Sequence, residues 1–224
     1  MITLHHLNNS RSQRIIWLLE ELELKYQIKH YQRDPQTMLA PAELLQVHPL
    51  GKSPVITDGD LILAESGAII DYLVNTYGAE NLQPLTGTPD RLRYTYWLHY
   101  AEGSAMPPLL MKLIFDKIEK TAMPFFIKPI ARGISQKVKH SFIEPQIVRH
   151  LDYLESEIAK TGWFAGSEFS AADIQMSFAI EAAASRAGLN VETRPKLMTW
   201  LAKVQARPAY QRALKAGGEY SLLN

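Results

Sequence analysis

The 224-residue chain contains no cysteine. That absence excludes a disulfide scaffold, a thiolate-held zinc and any reaction in which the protein's own thiol is the nucleophile. If sulfur chemistry takes place, the sulfur arrives on a ligand. No apolar run approaches the ~18 residues of a spanning helix, and the opening Ile2-Thr3-Leu4-His5-His6-Leu7 is strand-like, not a basic-then-apolar leader. The expectation is a soluble, cytoplasmic protein without membrane contact, in which the sequon Asn8-Asn9-Ser10 has no meaning. With 24 basic and 23 acidic residues there is no global field to draw in nucleic acid. Phosphate loop, dinucleotide fingerprint and nucleophile elbow are missing. His5 and His6 are adjacent on an expected strand and so face opposite ways, which does not suit a metal pair; no metal is expected.

What is present is a core-forming composition, 46% hydrophobic, in a length that suits one large or two small domains. Residues 2–7 read as a strand. Ile15, Leu18, Leu19 and Leu22 then fall at helical spacing with glutamates opposite, and Tyr26 to Tyr31 reads as a second strand. A proline-bearing stretch leaves room for a short helix near 41–47. Two short strands flank Asp58-Gly59-Asp60 as a hairpin, and Ile70, Leu73, Val74 and Tyr77 mark a helix with Gly78 as its C-cap. The order is β-α-β-α-β-β-α. Past a linker at 83–89 the strand pattern stops. Helices are expected near 89–119, 134–160, 170–187, 193–206 and 208–216, and Ser170 to Asp173 has capping-box spacing.

Three segments carry polar groups suited to chemistry. Ser10 sits at the first strand-to-helix turn with capping spacing to Gln13, which fits a plain helix cap; a capping hydroxyl still has its hydrogen free to donate to an anion held at the helix start. Ser53-Pro54 opens a strand, either as an edge-strand proline or as a cis bond that turns the Ser53 backbone toward a peptide-like ligand. Ala64-Glu65-Ser66-Gly67 joins a strand to a helix. It reads as a capped helix start or as a site where helix N–H groups bind a carboxylate and Glu65 holds an ammonium group.

Taken in order, these segments resemble the cytosolic glutathione transferase family over essentially the whole chain. The likeness is nearest to theta-like serine enzymes and to fungal and bacterial relatives with a Ser-Arg-x-x-Arg start, here Ser10 to Arg14. Its most specific elements are Pro49-Leu50-Gly51-Lys52-Ser53-Pro54-Val55 and Leu63-Ala64-Glu65-Ser66-Gly67-Ala68-Ile69. The resemblance implies a thioredoxin-like α/β domain over 1–82, the linker at 83–89 and an all-α domain over 90–224. It implies that Pro54 is a cis-proline, that the Ser53 backbone pairs with the cysteinyl unit of glutathione, and that Glu65 and Ser66 grip the γ-glutamyl end. Lys52, with His48 as a weaker candidate, is implied as the ligand of the glycyl carboxylate. Ser10 matches the serine that serves the sulfur, but the pattern usually has a proline two residues later where this chain has Ser12. Ser12 and Asn9 therefore stand beside Ser10 as candidates.

Glutathione is implied as co-substrate and a homodimer as the assembly, with a small hydrophobic electrophile or an organic hydroperoxide as second substrate. Its pocket is expected between the Ser10 loop and soft apolar residues, among them Met106, Leu110, Met111 and Phe115, with the segment 121–133 overhanging it. From Lys112 to His150 the chain carries a net charge of +5. Those cations favour anionic acceptors or form a solvated helix face. Lack of cysteine speaks against relatives that use their own thiol. The other readings are a non-catalytic interaction module, against which Lys52, Glu65 and Ser66 count, and a carrier of apolar ligands.

Overall fold

The computed structural model describes residues 1–78 and 82–223; the end of the expected first domain at 79–81 lies outside them. Strands β1 (Ile2–Leu7), β2 (Tyr26–Tyr31), β3 (Val55–Asp58) and β4 (Leu61–Ala64) form one sheet in the order β2-β1-β3-β4. β2 runs parallel to β1, as a crossover through helix α1 (Ser12–Glu21) requires. β3 and β4 are antiparallel neighbours, and Asp58 faces Leu61 across the expected hairpin turn. The short helix near 41–47 is a 3₁₀ turn at Ala42–Gln46. Helix α2 (Ser66–Tyr77) ends at Gly78, but not by a left-handed cap: its φ is −69°. A side chain there would place Cβ 2.0 Å from the Val74 carbonyl oxygen, so close approach, not handedness, calls for glycine.

The second half contains α3 (Pro89–Tyr100), α4 (Met106–Lys120), α5 (Lys128–Val138), α6 (Glu144–Thr161), α7 (Ala171–Arg186), α8 (Pro195–Gln205) and α9 (Pro208–Gly217). Two stretches expected as unbroken helix carry π turns, at Ala101–Ala105 and Lys139–Ile143. Each lies just ahead of prolines, Pro107-Pro108 and Pro145, which lack the N–H that would continue the regular ladder. The helix expected from 134 begins at Lys128, with Pro129 in its first turn.

α7 is buried from Ala171 to Ala183, as befits a helix apolar on most sides. Its start is the expected capping box: Asp173 Oδ2 accepts from the Ser170 N–H at 3.0 Å, while Oδ1 accepts from the Phe164 N–H and Trp200 Nε1. α9 lies along α1, where a Cβ on Gly217 would meet Gln13 Oε1 at 2.2 Å. The glutamates expected on the open side of α1 are occupied by α9 and its approach: Glu21 pairs with Arg207 and Glu20 with Arg212. One continuous apolar cluster runs from Ile2 and Ile56 in the sheet through Trp17, Trp97 and Met176 to Trp200 and Leu222. The two halves thus share a core.

Within that core, Glu181 on α7 accepts from Tyr210 at 2.5 Å and from Tyr220 at 2.6 Å. Burial pushes its carboxyl up to about 7, against the hydrogen bonds that favour its charged form. Between about pH 4.5 and 7 the folded chain therefore holds a proton that the unfolded chain has lost, and stability drawn from this group falls as pH rises. Asp173 and His6 also titrate below about 6.5, so the comparison is with Glu181→Gln. Relative to wild type, that variant should gain on the order of 2 kcal/mol between pH 5 and 7.5 in urea unfolding. A difference independent of pH would contradict a buried, late-titrating carboxyl.

Candidate active site

The turn from β1 into α1 carries the first group of polar side chains. Asn9 has φ +52°, a left-handed conformation that asparagine tolerates, and its Oδ1 accepts from the Ser221 N–H at 2.6 Å. The C-terminal tail is thereby tied to this turn. The residue flanking α1 is Arg11, and Gln13 donates to the Ala213 carbonyl at 2.8 Å, so the Ser10–Gln13 capping arrangement does not form. Ser10 Oγ instead accepts from the Ser12 N–H at 3.2 Å and lies 2.7 Å from Ser12 Oγ. Ser12 Oγ lies 2.8 Å from His6 Nδ1 and 3.3 Å from the Leu7 carbonyl. Ser10 lines a cavity; Ser12 is fully buried beneath it. Burial first, and His30 second, bring His6 down to about 4, so it is neutral at physiological pH.

One turn further along α1, Arg14 is enclosed. Its guanidinium donates to the Gln175 carbonyl at 2.5 Å, to Ser66 Oγ and to Glu102. Glu102, in the π turn ahead of α4, also accepts from Arg11 Nε at 2.9 and 2.8 Å. Burial works against its ionisation, but Arg14 and Arg11 hold its carboxyl below the usual range. α1, α2, α7 and the π turn meet at this one side chain.

Beside it opens a cavity of about 640 Å³. The Ser53-Pro54 peptide is cis. The Ser53 hydroxyl is taken up by β1, donating to the His5 carbonyl at 2.8 Å and accepting from the Leu7 N–H at 3.2 Å. Glu65 has φ +70°, unusual for a residue with a side chain and of the kind met at ligand sites. Ser66 is buried and its hydroxyl accepts from Arg14, which leaves its first-turn N–H as the group available to a ligand. His48 Nδ1 accepts from the Leu50 N–H at 3.3 Å, so the ring hydrogen is on Nε2. His48, Lys52, Ser53, Pro54, Glu65 and Ser66 all line this cavity. A second cavity, about 440 Å³, adjoins it across Arg11, Arg33 and Leu110 and contains Asn9 and Ser10.

Residues 1–75 match the glutathione S-transferase N-terminal domain and residues 114–208 the glutathione S-transferase C-terminal domain. Glutathione S-transferase 3 of Schizosaccharomyces pombe is 36% identical over 209 residues, covering 93% of this chain and 85% of that one. Glutathione S-transferase 1 of Saccharomyces cerevisiae is 34% identical, covering 94% and 92%. The chain belongs to the glutathione S-transferase family. Among solved structures, a glutathione S-transferase from Actinobacillus pleuropneumoniae superimposes with a TM-score of 0.78 at 32% identity, covering 100% of this transferase and 96% of that chain.

Of the four residues expected around an acceptor, Met106 and Leu110 line the second cavity of the transferase, whereas Met111 and Phe115 pack against the helical core. The segment 121–133 does not overhang it: none of these residues lines the cavity, and Phe125 and Phe126 are exposed. Pro129 sits in the first turn of α5, so the chain winds into helix there and does not drape across the opening. Residues from the chain's end complete the wall, including Phe178 on α7 and Leu222 in the tail. Arg14, Glu102, Arg33 and Phe178 were missed in the sequence. Arg14 lay within the quoted Ser-Arg-x-x-Arg pattern, but its partners are 52 to 161 residues away.

Arg14→Met should cost about 3 kcal/mol, since it leaves Glu102 with Arg11 alone and uncaps the Gln175 carbonyl. The Arg14→Met, Glu102→Gln double variant should lose clearly less than the two single losses summed. Additive losses in urea unfolding would mean that the pair is not coupled.

Proposed function

We propose that this transferase binds glutathione along the larger cavity and ionises its thiol on Ser10. The γ-glutamyl end lies at Glu65 and the Ser66 N–H, the cysteinyl unit runs along the Ser53 backbone beside Pro54, and the glycyl carboxylate meets Lys52 and His48 Nε2. The observation that carries this reading is that six side chains chosen for glutathione line one cavity while Ser10 lines the cavity next to it. Ser12 has no exposed surface, so the donors left to the sulfur are the Ser10 hydroxyl and the Asn9 Nδ2 amide beside it, whose Oδ1 accepts from the tail; Ser10 is the one backed by the buried Ser12.

The hydroxyl does not act alone. The His6–Ser12–Ser10 chain has two proton orders in which Ser12 donates within the chain, besides one in which Ser12 donates to the Leu7 carbonyl at 3.3 Å. With the ring hydrogen on Nε2, Ser12 donates to His6 and Ser10 to Ser12, so the chain points inward. With the ring hydrogen on Nδ1, His6 donates to Ser12 and Ser12 to Ser10, which frees the Ser10 hydrogen for the cavity. His6 Nε2 is buried with no hydrogen bond at ordinary length, and the Gly217 carbonyl nearby favours a ring N–H, which suits the inward order at rest. A thiolate selects the outward order, and the linked donors polarise one another.

A free thiol titrates near ~8.5. One charge-assisted hydrogen bond of roughly 1.5–3 kcal/mol and a helix start of about 0.3–1 kcal/mol lower that by about one to three units. The bound sulfur is then largely thiolate at neutral pH, its proton passing to solvent. Attack on an electrophilic carbon forms the C–S bond as the leaving group departs with its electron pair. With an organic hydroperoxide the sulfur takes the distal oxygen and releases the alcohol; a second glutathione then gives the disulfide and water. The reading extends to a cytoplasmic homodimer, supported by exposed Ile62 and Tyr77 on the sheet half and Leu92 and Tyr96 on α3. Among the described residues, no helix is long and apolar enough to cross a membrane.

Ser10→Ala should raise the pKa of the bound thiol and cut turnover more at pH 6.5 than at pH 9. Ser12→Ala should do the same to a smaller degree although Ser12 cannot touch the ligand, read as ultraviolet thiolate absorbance against pH. Equal losses at both pH values would take Ser10 out of ionisation, and an unmoved Ser12→Ala profile would remove the proton chain. Glu65→Ala should weaken glutathione binding roughly 10- to 100-fold in calorimetry; unchanged affinity places the ammonium group elsewhere.

A further inference from the structure

The two adjoining cavities differ in charge. The larger one mixes Arg11, Arg33 and Lys52 with Glu65 and Glu102. The acceptor cavity is lined by Arg11, Arg33, Lys112, Lys117 and Arg186, with no aspartate or glutamate among its lining residues. Two of the five are neutralised, Arg11 by Glu102 and Lys112 by Asp116. The Arg33 guanidinium donates to the Asn8 and Met38 carbonyls and has no carboxylate partner among the described residues. Lys117 and Arg186 have no carboxylate partner among the described residues, although Lys139 nearby is paired twice. The cavity also has a direction. Met106, Leu110, Leu113 and Lys117 follow one face of α4, so its wall extends over twelve residues, about 16 Å along the helix.

Unpaired cations above an apolar wall give nothing to an uncharged acceptor. An anion with a long apolar body satisfies both, because the apolar wall holds its chain while the exposed Lys117 and Arg186 attract its charge, an attraction that salt screens. We propose that the preferred second substrate is a long-chain carboxylate, its reacting carbon or peroxide beside Ser10 at the Met106 end and its carboxylate between Lys117 and Arg186. This rests on the reading of Ser10 as the seat of the thiolate.

The test uses acceptors that differ only at the far end: a 4-chloro-3-nitrobenzamide joined through 4-, 8- or 12-carbon chains to a free carboxylate, and the matching methyl esters. The glutathione sulfur forms the new bond to the ring carbon, the carbon–chlorine bond breaks, and chloride leaves with the electron pair. The remote carboxylate does not alter ring reactivity. The acid-to-ester ratio of kcat/KM should be about five- to tenfold in favour of the acid for the longer chains, and smaller for the 4-carbon chain. It should fall toward one with added salt and in the Lys117→Gln, Arg186→Gln double variant, and return in Lys117→Arg, Arg186→Lys. A ratio near one in wild type, or one that survives the double variant, overturns the proposal. Should wild type turn over neither member of a pair, the transferase reading fails. The prepared glutathione conjugates then decide the cavity by calorimetry: tighter binding of the acid that is lost in the double variant upholds the proposal, and equal binding overturns it.

Discussion

Arg14 is the interaction on which the site depends. A guanidinium removed from water must find acceptors for its donors, and here they come from three directions: the Ser66 hydroxyl at the start of α2, the Gln175 carbonyl in α7 and Glu102 in the π turn. Burial lowers its pKa, with Glu102 opposing that shift, so charge and position are mutually required. Because Ser66 lines the larger cavity and Ser10, one turn before Arg14, lines the second, the same clamp positions a residue of each. It also joins the sheet half to the helical half in a molecule whose apolar core is already shared.

The second theme is the set of groups around the proposed seat of the sulfur. A chain without cysteine, and with its buried His6 held neutral, has hydrogen bonds, a helix start and the nearby Arg11 and Arg33 guanidinium groups with which to lower a bound thiol's pKa. Ser12 and His6 lie out of reach of any ligand, so their effect passes through the orientation of one hydroxyl. Arg11 and Arg33 line both cavities, and Lys117 and Arg186 line the second alone.

Elements set by short-range rules were legible in the sequence. The hairpin at Asp58-Gly59-Asp60, the order of the seven elements in the sheet half and the Ser170–Asp173 box each depend on residues within a few positions of one another. The segments proposed for glutathione, which the fold brings to one cavity, were legible for a related reason: each is a contiguous motif. What escaped depends on distance along the chain. The Ser10–Gln13 spacing suggested a cap, but Gln13 is drawn to Ala213, 200 residues away. Met111 and Phe115 share a helix with Met106 and Leu110 but point into the bundle, a choice fixed by helix phase against α7 and not by residue type. The π turns had a local signature in Pro107, Pro108 and Pro145, which the apolar periodicity around them masked.

The tail's hydrogen bond to Asn9 and the position of Leu222 in the cavity wall have an evolutionary consequence. In the proposed reading the acceptor wall draws on α4, α7 and the tail together with the Ser10 turn, whereas the clamp around Arg14 ties α1 and α2 to α7 and the π turn. Substitutions at Leu113, Ala182 or Leu222 can redraw which molecule is admitted without disturbing how the nucleophile is made. A lineage built this way can diversify its diet while inheriting one unchanging chemistry.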